Sequence, residues 1–351
     1  MKKDKSLAQG WRGVCLSIAL IGAVMAVITG VQAASAAAPA KPIELSLSFW
    51  GTLDEPIGKI VEEYSKEINQ RTNGMVKITL YLGGSLTSGP QAYEGVVGGL
   101  SQMALVMYPY NPGRFPLIMG WTLPLPVAST RAATQIFNES VEKFKPKELA
   151  DTKLMYFTST SAAYPMAVKK PIRTIEDFKG LKIRTLGNMA LYMKDLGATP
   201  VSMPINDLYS ALDKGVVDAT LNNTHVLAAW KFADVIKYLT PWVWRTGGAW
   251  GVHMNLKVWN GLSPETQKIF EEANKKYLWK QVEYIDADDK VGLDAGLKKG
   301  MQVIEPTPEF SKDLKARAQP SYDRYVAEMK AKGLPGKEFL DFLLKRCEEV
   351  K

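Results

Sequence analysis

Two different hydrophobic periods alternate between residues 43 and 108. Alternating or continuous apolar runs predict strands at 43–50 ("IELSLSFW"), 75–84 ("MVKITLYLGG") and 103–108 ("MALVMY"). The segment 54–72 has apolar residues three and four positions apart, as in an amphipathic helix, and a shorter helix is predicted at 89–100. This order predicts a parallel sheet with helices on its faces, and ligands of such sheets bind beyond the carboxyl ends of the strands.

The same alternation continues through the middle of the chain and predicts a second α/β unit within about 162–249. Ser129 is placed to cap a helix over 129–144. Further strands are predicted at 152–161, 164–170, 181–185 and 219–223, and further helices at 188–197, 205–218 and 225–239. With about 310 residues beyond its apolar N-terminus, the chain is long enough for two domains.

Strand-like sequence returns at 247–259, and a helical pattern without a proline follows from Pro264 to about Lys299. A helix of this length exceeds the width of one small domain, so we expect it to cross between two. The adjacent acids Asp288 and Asp289 are expected on its solvated face.

The first 36 residues are typical of an export signal. An apolar run over 13–31 precedes the small residues "AASAAAPA", which permit cleavage after Ala33 or Ala36. The basic residues before this run are Lys2, Lys3, Lys5 and Arg12. The run is nearly long enough to span a bilayer, so an uncleaved anchor is the alternative. A signal of this kind predicts an exported protein.

Charge and cysteine content narrow the classes of partner. Removal of the signal takes away four basic residues and one acid, and lowers the formal net charge from +8 to +5. The basic residues do not cluster with aromatic ones, so no nucleic-acid partner is expected. Cys347 is the one cysteine after the signal, and therefore core packing must hold the fold together without an internal disulfide.

The sequence lacks the common motifs of catalytic and metal sites. The two histidines, His225 and His253, are far apart and have no metal-ligand spacing, and structural roles are expected for both. No nucleophile elbow, phosphate-binding loop or dinucleotide fingerprint is present. We therefore assign no catalytic residue, metal or cofactor, and expect a protein that is not an enzyme.

Two features are candidates for ligand binding. Arg184 lies in the short apolar strand 181–185, directly before a helix. Several aromatic residues lie at predicted strand ends and loops, where most would pack in the core and some would line a cleft. These are Trp50, Tyr108, Tyr110, Trp121, Tyr164, Trp242, Trp244 and Trp250.

The segment "DFKGLKIRTLGNMALYMKDLGATPVSMPINDLYSALDKGVVDATLNN" (177–223) resembles the signature of solute receptors of tripartite ATP-independent periplasmic (TRAP) transporters. "LYLGGSLTSGPQAYEGVVGGLSQMAL" (80–105) and "MNLKVWNGLSPETQKIFEEA" (254–273) fit the same family. The resemblance implies an α/β, periplasmic binding protein-like fold with two α/β domains, an intervening cleft, crossing strands and a long helix.

On this pattern we expect domain I over 43–161 and 250–289 and domain II over 162–249 and 290–351. The long helix, at about 264–299, would cross between them.

The resemblance also implies residue roles. The arginine of the "KIR" strand binds the ligand carboxylate in this family, and here it is Arg184; an asparagine that assists it corresponds to Asn222, with Asn223 as the competing choice. A second basic residue of several members has no counterpart in "SAAYPM" (161–166), which disfavours a dicarboxylate. Tyr164 could instead donate a hydrogen bond or stack on the ligand. Trp50, Tyr108, Tyr110 and Trp244 complete the expected site.

The implied function is that of a monomeric periplasmic receptor, which binds a small organic acid in the interdomain cleft and delivers it to the TRAP transporter membrane subunits. One alternative is a secreted bilobal enzyme that acts on an organic acid through Asp or Tyr side chains. Another is a ligand-sensing receptor for a membrane signalling protein.

Overall fold

The structure is a computed structural model that describes residues 41–245 and 248–351. The predicted signal over 1–36 lies outside the described residues. No helix in the described part of the chain is both long enough and apolar enough to cross a membrane. The described strands form a five-stranded and a six-stranded sheet, and each sheet is the centre of one lobe.

The first lobe is built on a sheet with the strand order β2-β1-β3-β10-β4. Its strands are β1 (Ile43–Ser48), β2 (Val76–Tyr81), β3 (Met103–Met107), β4 (Thr152–Ser159) and β10 (Ala249–Asn255). The first three strands are parallel, as their alternation with helices predicts, whereas β10 pairs antiparallel to both β3 and β4. The returning strand β10 therefore completes the first sheet after the chain has built the second.

The second lobe is built on a sheet with the order β11-β9-β5-β8-β6-β7. Its strands are β5 (Tyr164–Ala167), β6 (Lys182–Arg184), β7 (Thr199–Val201), β8 (Ala219–Asn222), β9 (Tyr238–Leu239) and β11 (Gln302–Val303). Strand β6 lies between β7 and β8 and is parallel to both. The carboxyl ends of β6 and β8 consequently meet at one edge of the sheet.

Eleven α-helices are described around the two sheets. They are α1 (Pro56–Arg71), α2 (Ala92–Val97), α3 (Thr130–Phe144), α4 (Asn188–Asp195), α5 (Ile205–Asp213), α6 (Val226–Ala229), α7 (Leu256–Gly261), α8 (Pro264–Lys298), α9 (Pro308–Ala316), α10 (Gln319–Ala331) and α11 (Gly336–Glu349). The Ser129 hydroxyl accepts a hydrogen bond from the Ala132 amide at 3.1 Å, which confirms the predicted cap of α3.

The prediction of one helix over 225–239 is wrong. Helix α6 ends at Ala229, a short 3-10 turn covers Phe232–Asp234, and the segment ends as strand β9. The break occurs at Lys231, which has a left-handed backbone (φ 57°) that an α-helix does not accept. Pairing of β9 with β5 outweighs the helical periodicity of the sequence.

The long helix α8 packs against helices of both lobes. Glu63 of α1 accepts hydrogen bonds from Lys280 and, at 2.6 Å, from the Tyr284 hydroxyl. Asp288 pairs with Lys59 of α1 at 3.2 Å, and the Asp289 carboxylate accepts the backbone N–H of His225 at 2.9 Å. Asp288 and Asp289 are thus partly exposed, as expected for a solvated face, but each acid also contacts a different lobe.

Helix α11 packs on the first lobe. Its buried face, which includes Phe339 and Leu343, joins the core that contains Phe137 of α3 and Val106 of β3. The buried Cys347 lies on the same face. The predicted domain limits stay a prediction.

Candidate functional site

A cavity lies between the two lobes, at the carboxyl ends of β1, β3, β6 and β8. It contains about 830 Å³ of empty space, part of it open to solvent, and both lobes contribute its walls. Its apolar lining is Ile57, Met107, Pro109, Ala163, Leu186, Met189, Ile205 and Leu221. A cleft of mainly apolar character, with a few polar groups, is typical of a small-molecule site.

Arg184 supplies the positive charge of the cavity. It is the last residue of β6, and its side chain is 5% exposed. Its Nε and Nη2 both donate to the Met203 carbonyl oxygen, at 3.1 and 2.9 Å, which fixes the plane of the guanidinium. The strand pattern therefore places a pre-oriented cationic fork at the cavity wall.

No ion pair satisfies this buried charge within residues 41–245 and 248–351. Burial lowers the pKa of Arg184, and the group that acts against this is the Tyr110 hydroxyl rather than an acid. An arginine stays protonated at neutral pH even after such a shift. A buried cation without a counter-ion is costly, so an anionic ligand would gain from pairing with it.

Three further hydrogen-bond donors of the cavity have no partner among the described residues. They are Trp50 Nε1, Asn222 Nδ2 and Asn223 Nδ2. The Asn222 Oδ1 accepts the Asn223 backbone N–H at 3.2 Å, which leaves the Asn222 amide nitrogen to donate. Both asparagines line the cavity, so the structure does not choose between them. Unsatisfied buried donors are costly and gain from an acceptor such as a carboxylate.

Hydrogen bonds between the lobes close the cavity. The Tyr110 hydroxyl of the first lobe accepts the Ile205 backbone N–H of the second at 3.2 Å. The Asn188 backbone N–H donates to Thr122 Oγ1 at 2.8 Å. Gly187 permits this approach, because a Cβ at its position would lie 2.5 Å from Thr122 Oγ1. The glycine after the "KIRT" strand thus lets the lobes meet beside Arg184.

Two predicted aromatic residues, Trp50 and Tyr110, line the cavity together with Arg184 and Asn222. Their rings meet edge to face, with centroids 6.3 Å apart. Gly89 sits directly behind them, since a Cβ there would lie 2.6 Å from the Tyr110 ring. These two residues form one aromatic wall of the site.

The other predicted site residues lie elsewhere. The Trp244 indole donates to the Tyr192 hydroxyl at 2.9 Å inside the second lobe. Tyr164 faces a different cavity, lined also by Arg245 and Asp289, and Ala163 takes its place in the candidate site. Tyr108 is fully buried in the first lobe. We therefore leave Tyr108, Tyr164 and Trp244 out of the proposed site.

Glu55 and His225 line the cavity, and sequence reasoning missed both as site residues. Glu55 follows β1 and precedes α1, whereas His225 follows β8, so the two come from different lobes. The Glu55 side chain is 1% exposed, and burial raises its pKa. Their positions in the sequence could have indicated this role, because both residues lie just beyond the carboxyl ends of strands, where ligands of such sheets bind.

Tyr108 has a structural role beside His253. The Tyr108 hydroxyl lies 2.6 Å from His253 Nε2, and Thr152 Oγ1 lies 2.7 Å from His253 Nδ1. Burial lowers the pKa of His253 to about 3, so the ring is neutral at physiological pH.

We expect this histidine to make the protein less stable in mild acid. Its pKa is lower in the folded state than its ordinary value of about 6.5, so its stability contribution is complete above pH 6.5 and is lost as the pH falls toward 3. The cost approaches about 1.4 kcal/mol per pH unit in that window. Urea unfolding at pH 7 and pH 5 measures it. His253→Gln should flatten the pH slope, and His225→Gln serves as the matched control; equal slopes in wild type and His253→Gln would contradict the assignment.

The described residues contain no group of three or more His, Cys, Asp or Glu side chains arranged to hold a metal ion. The polar groups of the cavity include instead one guanidinium, two amides, an indole, the Tyr110 hydroxyl, three threonine hydroxyls, Glu55 and His225. This set suits recognition of an organic anion by charge-assisted hydrogen bonds.

Residues 48–329 match the profile of the family described as bacterial extracellular solute-binding protein, family 7. The monocarboxylate 2-oxoacid-binding periplasmic protein of Nostoc sp. is 27% identical over 256 residues, which cover 71% of this chain and 70% of that protein.

Solved structures share the fold. A TRAP periplasmic solute-binding protein from Desulfovibrio salexigens is 27% identical with a TM-score of 0.76, over 88% of this chain and 96% of that one, and a neighbouring molecule's C-terminus occupies its ligand-binding site. A TRAP solute-binding protein of a marine metagenome, from an unidentified microbe and specific for aromatic acid ligands, is 21% identical with a TM-score of 0.83, over 88% of this chain and 99% of that one.

The family match spans most of the described lobes and includes β6 with Arg184. It confirms the resemblance seen in the sequence and the two-lobed α/β fold that the resemblance implied. The chain belongs to the bacterial extracellular solute-binding proteins of family 7 and is a TRAP-type solute-binding protein.

Proposed function

We propose that this protein is the periplasmic receptor of a TRAP transporter, that it captures a small organic acid between its lobes, and that it delivers the acid unchanged to the membrane subunits. Arg184 anchors the ligand carboxylate. The observation that carries the proposal is the buried guanidinium of Arg184, which faces an interlobe cavity and has no acid as partner among the described residues.

The neighbouring donors complete the carboxylate site. A guanidinium meets a carboxylate with two parallel hydrogen bonds, and the free N–H groups of Trp50, Asn222 and Asn223 can satisfy its remaining lone pairs. The relative from Nostoc sp. is named for monocarboxylate 2-oxoacids, and the C-terminus seated in the Desulfovibrio salexigens site also carries a carboxylate. Both support a carboxylate anchor here.

The walls indicate the rest of the ligand. Apolar side chains surround the anchor, and Trp50 and Tyr110 present an aromatic surface. Such a lining gains from burying a hydrocarbon or aromatic body. We infer a carboxylate with an apolar or aromatic part.

Thermal unfolding in the presence of organic acids tests this function. Binding to the folded state raises the melting temperature by mass action, by the equivalent of about 4 kcal/mol at a ligand concentration of 1,000 Kd. The panel contains pyruvate, benzoate, phenylacetate and succinate, with benzamide and phenylacetamide as uncharged controls. We expect at least one acid, and neither amide, to stabilise the protein, and the acid to be recovered unchanged after release. Stabilisation by the amides, or conversion of the acid, would contradict the proposal.

A further inference from the structure

The cavity contains an acidic residue as well as its cationic anchor. Glu55 lines the same cavity as Arg184, yet no ion pair joins the two side chains among the described contacts. Glu55 Oε1 accepts the Thr52 backbone N–H at 3.1 Å, which holds the carboxyl group in place. Gly51 makes room for it, since a Cβ there would lie 2.0 Å from Glu55 Oε1. The acid is therefore a built feature of the cavity wall.

Helix capping does not explain this acid. Glu55 is the residue before α1, but its side chain makes no capping hydrogen bond to that helix. Its surroundings also disfavour a charge, because burial raises its pKa. The acid neither caps a helix nor forms an ion pair, and its carboxyl oxygens, beyond the lone pairs that face the Thr52 N–H and the neighbouring Trp230 indole, are available to a ligand.

His225 approaches the same region from the second lobe. Its side chain is buried and lines the cavity, and its Nδ1 makes no hydrogen bond to the described residues but lies 3.7 Å from Asp289 Oδ1. The backbone N–H of His225 donates to Asp289 of α8, which fixes where the residue stands. His225 acts on Glu55 electrostatically and opposes the effect of burial on its pKa. Glu55 from the first lobe and His225 from the second therefore form a polar region of the cavity in addition to Arg184.

We propose that Glu55, supported by His225, determines ligand specificity: it accepts a hydrogen bond from a neutral donor on the ligand, such as a hydroxyl group, and excludes ligands that carry a second carboxylate. This inference rests on the proposed function, because Arg184 must hold the first carboxylate. It assigns the ligand to the hydroxylated monocarboxylates.

The physical basis is the contrast between a hydroxyl and a carboxylate beside a buried acid. A hydroxyl group donates to the Glu55 oxygen and leaves both groups satisfied. A carboxylate there would either repel an ionised Glu55 or force it to bind a proton. Like charges side by side in a binding site cost several kilocalories per mole, which corresponds to about a hundredfold or more in affinity.

Two matched ligand series test this proposal by calorimetry with the full-length exported protein. The first is butyrate, 4-hydroxybutyrate and succinate, and the second is benzoate, 3-hydroxybenzoate and isophthalate. In at least one series, we expect the hydroxylated acid to bind about tenfold more tightly than its parent and the diacid about a hundredfold more weakly than the hydroxylated acid.

Variants separate the two effects. Glu55→Leu removes the acceptor and should abolish the preference for the hydroxylated acid. Glu55→Gln keeps an acceptor and removes the charge. The ratio of the affinity for the hydroxylated acid to the affinity for the diacid should therefore fall by about tenfold or more. Glu62→Gln, on the helix α1 that Glu55 precedes, is the matched control outside the cavity and should keep the wild-type order of affinities. Melting temperatures of the unliganded variants report whether each one folds.

The two proposals fail in different ways. If no acid of either series binds to the wild-type protein, the proposed carboxylate anchor is contradicted, and this inference falls with it. If the acids bind but the diacid binds as tightly as the hydroxylated acid, the role of Glu55 alone is overturned. An equal change in the affinities for all three ligands of a series in Glu55→Gln would also overturn that role.

Discussion

Arg184→Met should weaken binding of the acid by about thirtyfold to several thousandfold and leave the fold intact. Truncation of one partner of a buried charge pair typically costs about 2–5 kcal/mol or more of binding free energy. Arg184 is 5% exposed, and no described acid compensates it before the ligand arrives. The whole of its pairing energy is therefore available to the ligand carboxylate.

The same substitution should leave the stability of the unliganded protein unchanged or raise it. An unpaired buried cation is costly, and replacement of buried charges by apolar side chains of similar size is often neutral or stabilising. We expect the melting temperature of Arg184→Met without ligand to equal or exceed that of the wild type. Loss of affinity without loss of stability would identify Arg184 as a binding residue that the fold does not need.

Arg184→Lys provides the matched control. Lysine keeps the positive charge but lacks the planar fork that bonds to the Met203 carbonyl through Nε and Nη2. We expect its affinity to lie between those of the wild type and Arg184→Met. Calorimetry with the tightest acid of the panel measures all three proteins. Equal affinities in wild type and Arg184→Met would rule out the anchor.

The fold could be predicted well wherever periodicity and topology agree. The three parallel strands of the first lobe and the long helix α8 appear as predicted, because each buries one face over several residues. The segment 225–239 was mispredicted because a local helical pattern says nothing about the distant strand β5 that β9 joins. Pairing between remote segments depends on tertiary contacts, and the local hydrophobic periodicity of the sequence does not reveal it.

The candidate site could be predicted only in part. Arg184 and the asparagine pair came from a long family motif, and the structure places them in one cavity with Trp50 and Tyr110. Tyr108 illustrates the limit, since it lies at a predicted strand end but its ring points into the core of the first lobe. Composition and spacing do not reveal which side of a loop an aromatic ring takes.

Glu55, in contrast to Tyr108, lines the cavity but was not predicted as a site residue. An acid before a proline at the start of a helix is commonplace in solvated turns, so the sequence alone offered no reason to single it out. Glu55 is buried because residues of both lobes surround it. One of them, His225, lies more than 150 positions away in the chain. Such a group becomes visible only when both lobes are in place.

Long helix α8 sets the position of the loop that carries Asn223 and His225. Gly292 of α8 touches this loop so closely that a Cβ would lie 2.0 Å from the Thr224 carbonyl oxygen and 2.7 Å from the His225 Cα. The Thr224 hydroxyl donates to the Asp289 carbonyl oxygen at 2.9 Å and fastens the same contact. Backbone meets backbone here, so no side chain can move aside to admit a methyl group.

We expect Gly292→Ala to lower the free energy of unfolding by about 1–3 kcal/mol or more, because overpacking a tight contact forces the backbone to shift. Ligand affinity should fall as well, by about tenfold, since the shift displaces Asn223 and His225 at the cavity wall. Urea unfolding and calorimetry measure the two effects.

Gly296→Ala, one turn further along α8, is the matched control. A Cβ at Gly296 would meet the Met301 methyl group at 2.8 Å, and this flexible end of a side chain can rotate away. Alanine also favours a helix over glycine by about 1 kcal/mol. Gly296→Ala should therefore be neutral or slightly stabilising and should bind the ligand normally. If Gly292→Ala and Gly296→Ala have the same free energy of unfolding and the same ligand affinity, the contact between α8 and the loop does not position the site.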